Sequence, residues 1–290
     1  MTMPCFAIIG LLLMGTEGYL TPDFREFLVQ NYDEATARAL ERWDLYGIGS
    51  FGGRTEKDQE VKNKPIIFVH GSTLSAGFFD SHRRFFLARD YNSAELYATT
   101  YGYAGLKKNL FTKIMDCENV QNVRKLIQAV HEYTNSTVDV LAFSMGTAIS
   151  RKAILGGECV DTKENLGEPI TDIVDTFIAI GGVAYGMEHC HHKNWESCNV
   201  VNGMKCTSLY LRDVNKPTER YEGRFSYGIY SKDDPVIGKE CCGHDCAALK
   251  NANQNFLKNG LEHGGIILQT KELQYNLFKK HAAERRRRGN

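Results

Sequence analysis

The sequence predicts an α/β protein in which a mostly parallel sheet carries helices on both faces. Three observations lead there. Short apolar runs rich in β-branched residues, at 65–71, 95–101, 138–143 and 173–182, have the length and composition of strands buried on both faces. Helical periodicities lie between them, as in Val120, Val123, Ile127 and Val130. Strands that alternate with helices need crossover connections, and crossovers make neighbouring strands parallel. The chain has 290 residues, enough for one large domain with a sizeable core, which we assign to residues 19–290. It contains 35 Lys plus Arg and 35 Asp plus Glu, so no net field draws it to nucleic acid or an anionic membrane. Whatever it binds must be recognised by a shaped site, and no stable protein partner is inferred.

The elements can be taken in order. Residues 6–14 form an apolar run too short to span a bilayer, followed by the small residues of Gly15-Thr16-Glu17-Gly18. This reads as a secretory signal over residues 1–18, although no Lys or Arg precedes the run. Removing it would also remove Cys5 and leave eight of the nine cysteines. An even number suits a secreted, extracellular, disulfide-bonded chain. Thr21-Pro22-Asp23 before Phe24, Phe27 and Leu28 marks a capped amphipathic helix. Residues 47–64 are polar and glycine-bearing and read as loop. The strand at 65–71 ends at Gly71, and a helical pattern follows through Phe78, Phe79, Phe85, Phe86 and Leu87. The strand at 95–101 leads into the glycine turn at 102–105.

Residues 183–222 leave a strand end and carry Cys190, Cys198 and Cys206 with Tyr185, Met187, Trp195, Val200, Val201 and Met204. The sheet edge they leave is where open α/β folds place their sites. This cysteine-rich excursion is therefore expected to be stapled to 241–246 and to form part of the wall of a site at that edge or a partial lid over it. The competing reading is a disulfide-held surface loop. Strand character returns at 223–231, and the chain closes with Ile266-Ile267-Leu268 and a helix through Leu273, Tyr275, Leu277 and Phe278. Asn135-Ser136-Thr137 is the one glycosylation sequon, at a helix-to-strand turn.

The chemistry is concentrated at 138–150. An apolar strand ends at Ser144, and small residues then open a helix: Ala142-Phe143-Ser144-Met145-Gly146. This is the strand-turn-helix context of a nucleophile elbow, with alanine in place of the leading glycine. So tight a turn needs small residues two before and two after the serine. It exposes the Ser144 hydroxyl and leaves the Met145 N–H at a helix N-terminus, where an oxyanion is favoured. A serine hydroxyl needs a base, and the base an orienting acid, in the order Ser, Asp or Glu, His.

Of the histidines after the elbow, His189, His191 and His192 lie in the excursion, and His244 sits between cysteines. His281 belongs to a basic terminal helix, where it should be solvated. His263, in the glycine-flanked Asn259-Gly260-Leu261-Glu262-His263-Gly264-Gly265, is the expected base. The acid is Asp233 or Asp234, since adjacent side chains diverge and only one can face the histidine; the other caps the turn. The second oxyanion donor is assigned to the Ser72 N–H in His70-Gly71-Ser72-Thr73, with His70 structural.

With these segments in view the chain resembles the small secreted lipases of the EstA/EstB type, also called class 2 lipases. Val69-His70-Gly71, Ala142-Phe143-Ser144-Met145-Gly146, Ile229-Tyr230-Ser231-Lys232-Asp233-Asp234 and Glu262-His263-Gly264-Gly265 carry the likeness. The resemblance implies an α/β-hydrolase fold, and its Y-S-x-x-D spacing puts the acid on Asp234. The cysteines and apolar leader look like the nematode branch. What it implies for function is ester hydrolysis through an acyl-enzyme on Ser144, with a lipid or ester substrate taken at a lipid–water interface. No metal or organic cofactor enters this reading. A thioesterase would use the same residues, and a non-catalytic module of this fold would be expected to lose one of them.

Overall fold

The computed structural model describes residues 19–103 and 112–286. The apolar leader, part of the 102–105 turn and the end of the basic tail fall outside them. Helix α1 (Pro22–Asn31) starts where its composition predicts: Thr21 Oγ1 accepts the Phe24 N–H, Pro22 occupies the first turn, and Phe24 and Leu28 are buried. Helix α2 (Glu34–Glu41), capped by Asp33, precedes the two-residue strand β1 (Ser50–Phe51). Then come β2 (Ile66–Val69), α3 (Asp80–Leu87), β3 (Leu96–Thr99), α4 (Cys117–Thr134), β4 (Val138–Phe143), α5 (Met145–Leu155) and β5 (Val174–Ile180). The excursion contributes α6 (Leu209–Asn215), and β6 (Phe225–Tyr230) follows. A small antiparallel hairpin, β7 (Glu240–Cys241) with β8 (His244–Asp245), precedes β9 (Gln254–Leu257), α7 (His263–Gln269) and α8 (Lys271–Arg286).

The sheet has the order β1-β3-β2-β4-β5-β6-β9, with only β1 antiparallel to its neighbour. All of β4 and β5 is buried, as their unbroken apolar runs require. Alternate residues of β4 serve two cores. Val138, Val140 and Ala142 pack with α4 and α5, while Leu141 and Phe143 join Phe68, Phe79, Phe86, Ile266 and Phe278 on the other face. The α/β class is therefore as the sequence predicts.

Four strands were not legible. β1 is two residues long inside polar sequence, and the edge strand β9 is mostly exposed and begins Gln254-Asn255, so neither carries an apolar signature. The hairpin β7–β8 is held by a local disulfide rather than by apolar pairing.

The excursion departs from expectation in detail. Of its three cysteines only Cys206 is stapled to the 241–246 segment, through Cys242. Cys190 pairs with Cys198 inside the excursion, Cys241 with Cys246 inside its own turn, and Cys117 with Cys159 near the start of α4. Met187, Cys190, Cys198 and Met204 are buried in the main core, with Tyr185 and Trp195 packed against it. Both ends are clamped to α5 by the buried Arg151. It pairs with Glu222 at 2.9 Å and donates to the carbonyls of Ala184 and Val214. Most of the apolar side chains thus serve as a disulfide-held cap on the core, and Val200, Val201 and Leu209 are left exposed.

His281 corrects the expectation of a solvated residue. It is buried, stacked at 3.4 Å on Phe225, with its Nε2 2.5 Å from the Tyr227 hydroxyl. The basic tail that follows hid an amphipathic face docked on the sheet. Asn135 of the sequon is exposed and ends α4 in the left-handed region (φ 48°), a conformation asparagine tolerates.

Candidate active site

β4 delivers Ser144 to the C-terminal edge of the sheet. Its backbone (φ 56°, ψ −127°) is one that L-residues avoid, held by the Ser144 N–H to Ile180 O and by Thr147 and Val183 N–H groups to Ser144 O. Gly146 is obligatory: a Cβ there would lie 2.4 Å from His70 O and 2.6 Å from Val69 O. Gly71 is equally constrained, because its Cβ would lie 2.8 Å from that of Ser144. The glycines let the β2 loop close directly on the serine. Such strain is tolerated at a site because the packing around it leaves no alternative.

The three side chains separated by 119 and 29 positions in sequence meet here. His263 Nδ1 lies 2.7 Å from Asp234 Oδ2, and His263 Nε2 lies 3.0 Å from Ser144 Oγ. A carboxylate can only accept, so Nδ1 carries the proton and Nε2 is left to accept from the serine hydroxyl. Asp234 is buried, and its second oxygen accepts the N–H groups of Val236 and Ile237 at 2.8 and 3.2 Å. The His263 ring packs on Phe143 at 4.7 Å, and Phe143 stacks on Phe78. His263 opens α7 rather than preceding it by a loop, so the helix start fixes its backbone.

Asp233 faces the other way. Its Oδ2 accepts the Gly260 N–H at 2.7 Å, tying the 258–262 turn to the acid loop. The adjacent aspartates thus hold His263 twice, one by its ring and one by the turn before it. The geometry favours Asp234 as the partner of the ring.

The two candidate oxyanion donors flank the serine. Met145 is the first residue of α5, and Ser72 lies in the loop after β2. Neither N–H has a hydrogen-bond acceptor among the described residues. The loop is braced by His70, which stacks on Tyr101 at 4.1 Å, accepts the Tyr101 N–H at Nε2 and donates from Nδ1 to Gly71 O at 2.7 Å. Burial pulls its pKa down to about 4, so it stays neutral and keeps that tautomer. His70 is structural, as expected.

A cavity of about 420 Å³ opens beside this loop, lined by Ser72, Thr73 and Met145, by Arg42 and Asp44, and by Asn119 and Asn122 among others. No excursion residue is among the described residues that line it. The expectation that Trp195 and Met187 form its wall does not match where those side chains pack.

The sheet order, the strained Ser144 between β4 and α5, and the Ser–His–Asp contact together define an α/β-hydrolase. Residues 63–276, well over half of the chain, match the model of the family Lipase (class 2). The chain belongs to that family. No curated protein matches it in sequence. Among solved structures it is similar to Bacillus licheniformis lipase BlEst2 in its mature form, with 15% identity and a TM-score of 0.50 over 80% of this chain and 96% of that one. The propeptide form of BlEst2 gives 14% identity and a TM-score of 0.53 over 79% of this chain and 53% of that one. Aspergillus fumigatus lipase B gives 16% identity and a TM-score of 0.49 over 72% of this chain, which spans only 48% of that protein. At these identities the structural likeness speaks for the fold alone.

Proposed function

We infer that the chain is a secreted serine hydrolase of carboxylic esters, acylglycerols among them, acting through an acyl-enzyme. The observation that carries the reading is the unbroken hydrogen-bond chain from Asp234 through His263 to Ser144. In the first half-reaction His263 Nε2 takes the Ser144 proton while Oγ bonds to the ester carbonyl carbon. The carbonyl electron pair moves to oxygen, and the N–H groups of Met145 and Ser72 bind that oxyanion. The intermediate collapses with loss of the alcohol, which receives its proton from His263. Water then adds to the acyl-enzyme by the same route, and the carboxylic acid leaves. Asp234 holds the ring in the required tautomer and offsets the imidazolium charge.

Access from a lipid–water interface is supported by Trp43, Tyr46 and Ile48, which point into solvent on the turn beside the cavity; Tyr46 is 77% exposed and Trp43 58%. The four disulfides support passage through an oxidising compartment. Among the described residues no helix is long and apolar enough to cross a membrane.

Hydrolysis of p-nitrophenyl esters from acetate to palmitate, by the wild-type chain and by Ser144→Ala, tests the reading. The wild type turns them over, and the variant loses about 10⁶ in kcat, the loss typical of a removed serine nucleophile. An alanine variant within tenfold of wild type overturns the assignment.

A further inference from the structure

Ser72 is only 8% exposed, and its Oγ has no hydrogen-bond partner among the described residues. A buried hydroxyl without a partner costs stability, and in a native fold it calls for an explanation. The groups around it are satisfied. His70 uses both ring nitrogens, and Gly71 O accepts from His70 Nδ1 and from the Leu74 N–H. The loop cannot move away to relieve Ser72, because Gly71 is packed against Ser144 and Tyr101 donates its hydroxyl to His70 O. Thr73, the next residue, is held in the left-handed region at φ 65°. The backbone of Ser72 is therefore held one residue from the contact with the nucleophile, and the residue lines the cavity that Met145 also lines, while its hydroxyl is buried in the resting rotamer.

We propose that the Ser72 side chain is a third oxyanion donor, so that this one residue binds the anionic oxygen through both its backbone N–H and its hydroxyl. The inference rests on the ester-hydrolase reading above. Rotation about χ1 carries the hydroxyl between staggered positions and breaks no hydrogen bond, since none is made in the resting rotamer. In the ground state the partner is a weakly polarised carbonyl; in the tetrahedral intermediate it is a full negative charge. The hydroxyl thus gains more in the transition state than in substrate binding, which raises kcat and leaves KM nearly untouched. A resting hydroxyl with nothing to give up loses the least on being recruited.

The test is steady-state hydrolysis of p-nitrophenyl butyrate by wild type, Ser72→Ala and Ser72→Thr, with inhibition by butylboronic acid, which forms a tetrahedral adduct on a serine nucleophile. Ser72→Ala keeps the backbone N–H and removes only the hydroxyl. We expect kcat to fall about 100-fold, within the range for loss of one oxyanion donor. KM should stay within about threefold, and the boronate inhibition constant should rise by at least tenfold. Ser72→Thr keeps a hydroxyl and should recover to within about fivefold of wild type. A Ser72→Ala enzyme within threefold of wild type in kcat overturns the proposal, as does a Ser72→Thr enzyme as slow as the alanine variant. These outcomes are separate from failure of the underlying reading, in which the wild-type chain itself turns over no ester.

Discussion

The two ends of the central sheet each bury a carboxylate, and the protein treats them in opposite ways. At the C-terminal end Asp234 receives the His263 Nδ1–H and two backbone N–H groups. At the N-terminal end, in β4 itself, Asp139 is fully buried and accepts one backbone N–H, from Thr176 at 3.0 Å. Burial, and then the neighbouring Asp175, push the Asp139 pKa well above the usual carboxylate range, whereas Asp175 has the Lys64 ammonium at 2.8 Å. A third buried carboxylate, Glu222, is held by the Arg151 guanidinium. Burial alone therefore does not bring a carboxylate to a base. For Asp234, two directed N–H donors and the His263 ring within hydrogen-bond reach do.

The largest effect that could break this comparison is on turnover. Asp234→Asn should cut kcat by about 10⁴, because the amide cannot hold the required tautomer of His263. Asp139→Asn should leave kcat within twofold, although the residue is no less buried and lies in the strand that carries Ser144. Asp233→Asn, which keeps an acceptor for the Gly260 N–H, should fall by less than tenfold. Measured kcat on one soluble ester checks all three. If Asp233→Asn is the crippled variant and Asp234→Asn nearly normal, the assignment of the acid is off by one residue.

Next in size is a stability effect at Glu222. Arg151→Met removes the cation and strands a carboxylate that is 1% exposed, a change that costs about 3–5 kcal/mol when one partner of a buried pair is lost. Chemical denaturation should show that loss, and the double variant Arg151→Met with Glu222→Gln should recover most of it. A single variant as stable as wild type would mean that the pair does not hold the excursion on α5.

How much of this was legible follows the range over which each signal acts. The elbow was readable because strand period, small residues and a helix start are all local to 138–150. Asp234 and His263 were readable because chain order and turn chemistry restrict the candidates; Asp233 against Asp234 needed the family spacing. The disulfide pairing, the burial of His281 on Phe225 and the destination of the excursion's apolar side chains were not readable, since each depends on segments brought together only by the sheet. The unpaired Ser72 hydroxyl had no sequence signal at all, because a serine in a loop is ordinary until its surroundings are known.

The smallest expected effect sharpens the contrast at the N-terminal end of the sheet. Below about pH 4, the ordinary aspartate pKa, Asp139 is protonated in both the folded and the unfolded chain and contributes no pH dependence. Above that, the unfolded chain releases the proton while the folded chain keeps it, until pH passes the raised folded pKa. The folded state then binds more protons than the unfolded one, so this residue lowers stability as pH rises, by at most about 1.4 kcal/mol per pH unit. The side-chain amide introduced by Asp139→Asn would keep an oxygen for the Thr176 N–H and has nothing to ionise. The thermal midpoint of Asp139→Asn relative to wild type should therefore climb between about pH 4 and neutrality. Comparing the two proteins also removes an opposite trend. His70 and His82 have pKa values lowered by burial to about 4 and about 3, so both proteins lose stability as pH falls below about 6.5. That acid limb is common to both and cancels in the difference. A difference that stays flat across the range would show that Asp139 ionises normally in the fold, and the contrast with Asp234 would then rest on geometry alone.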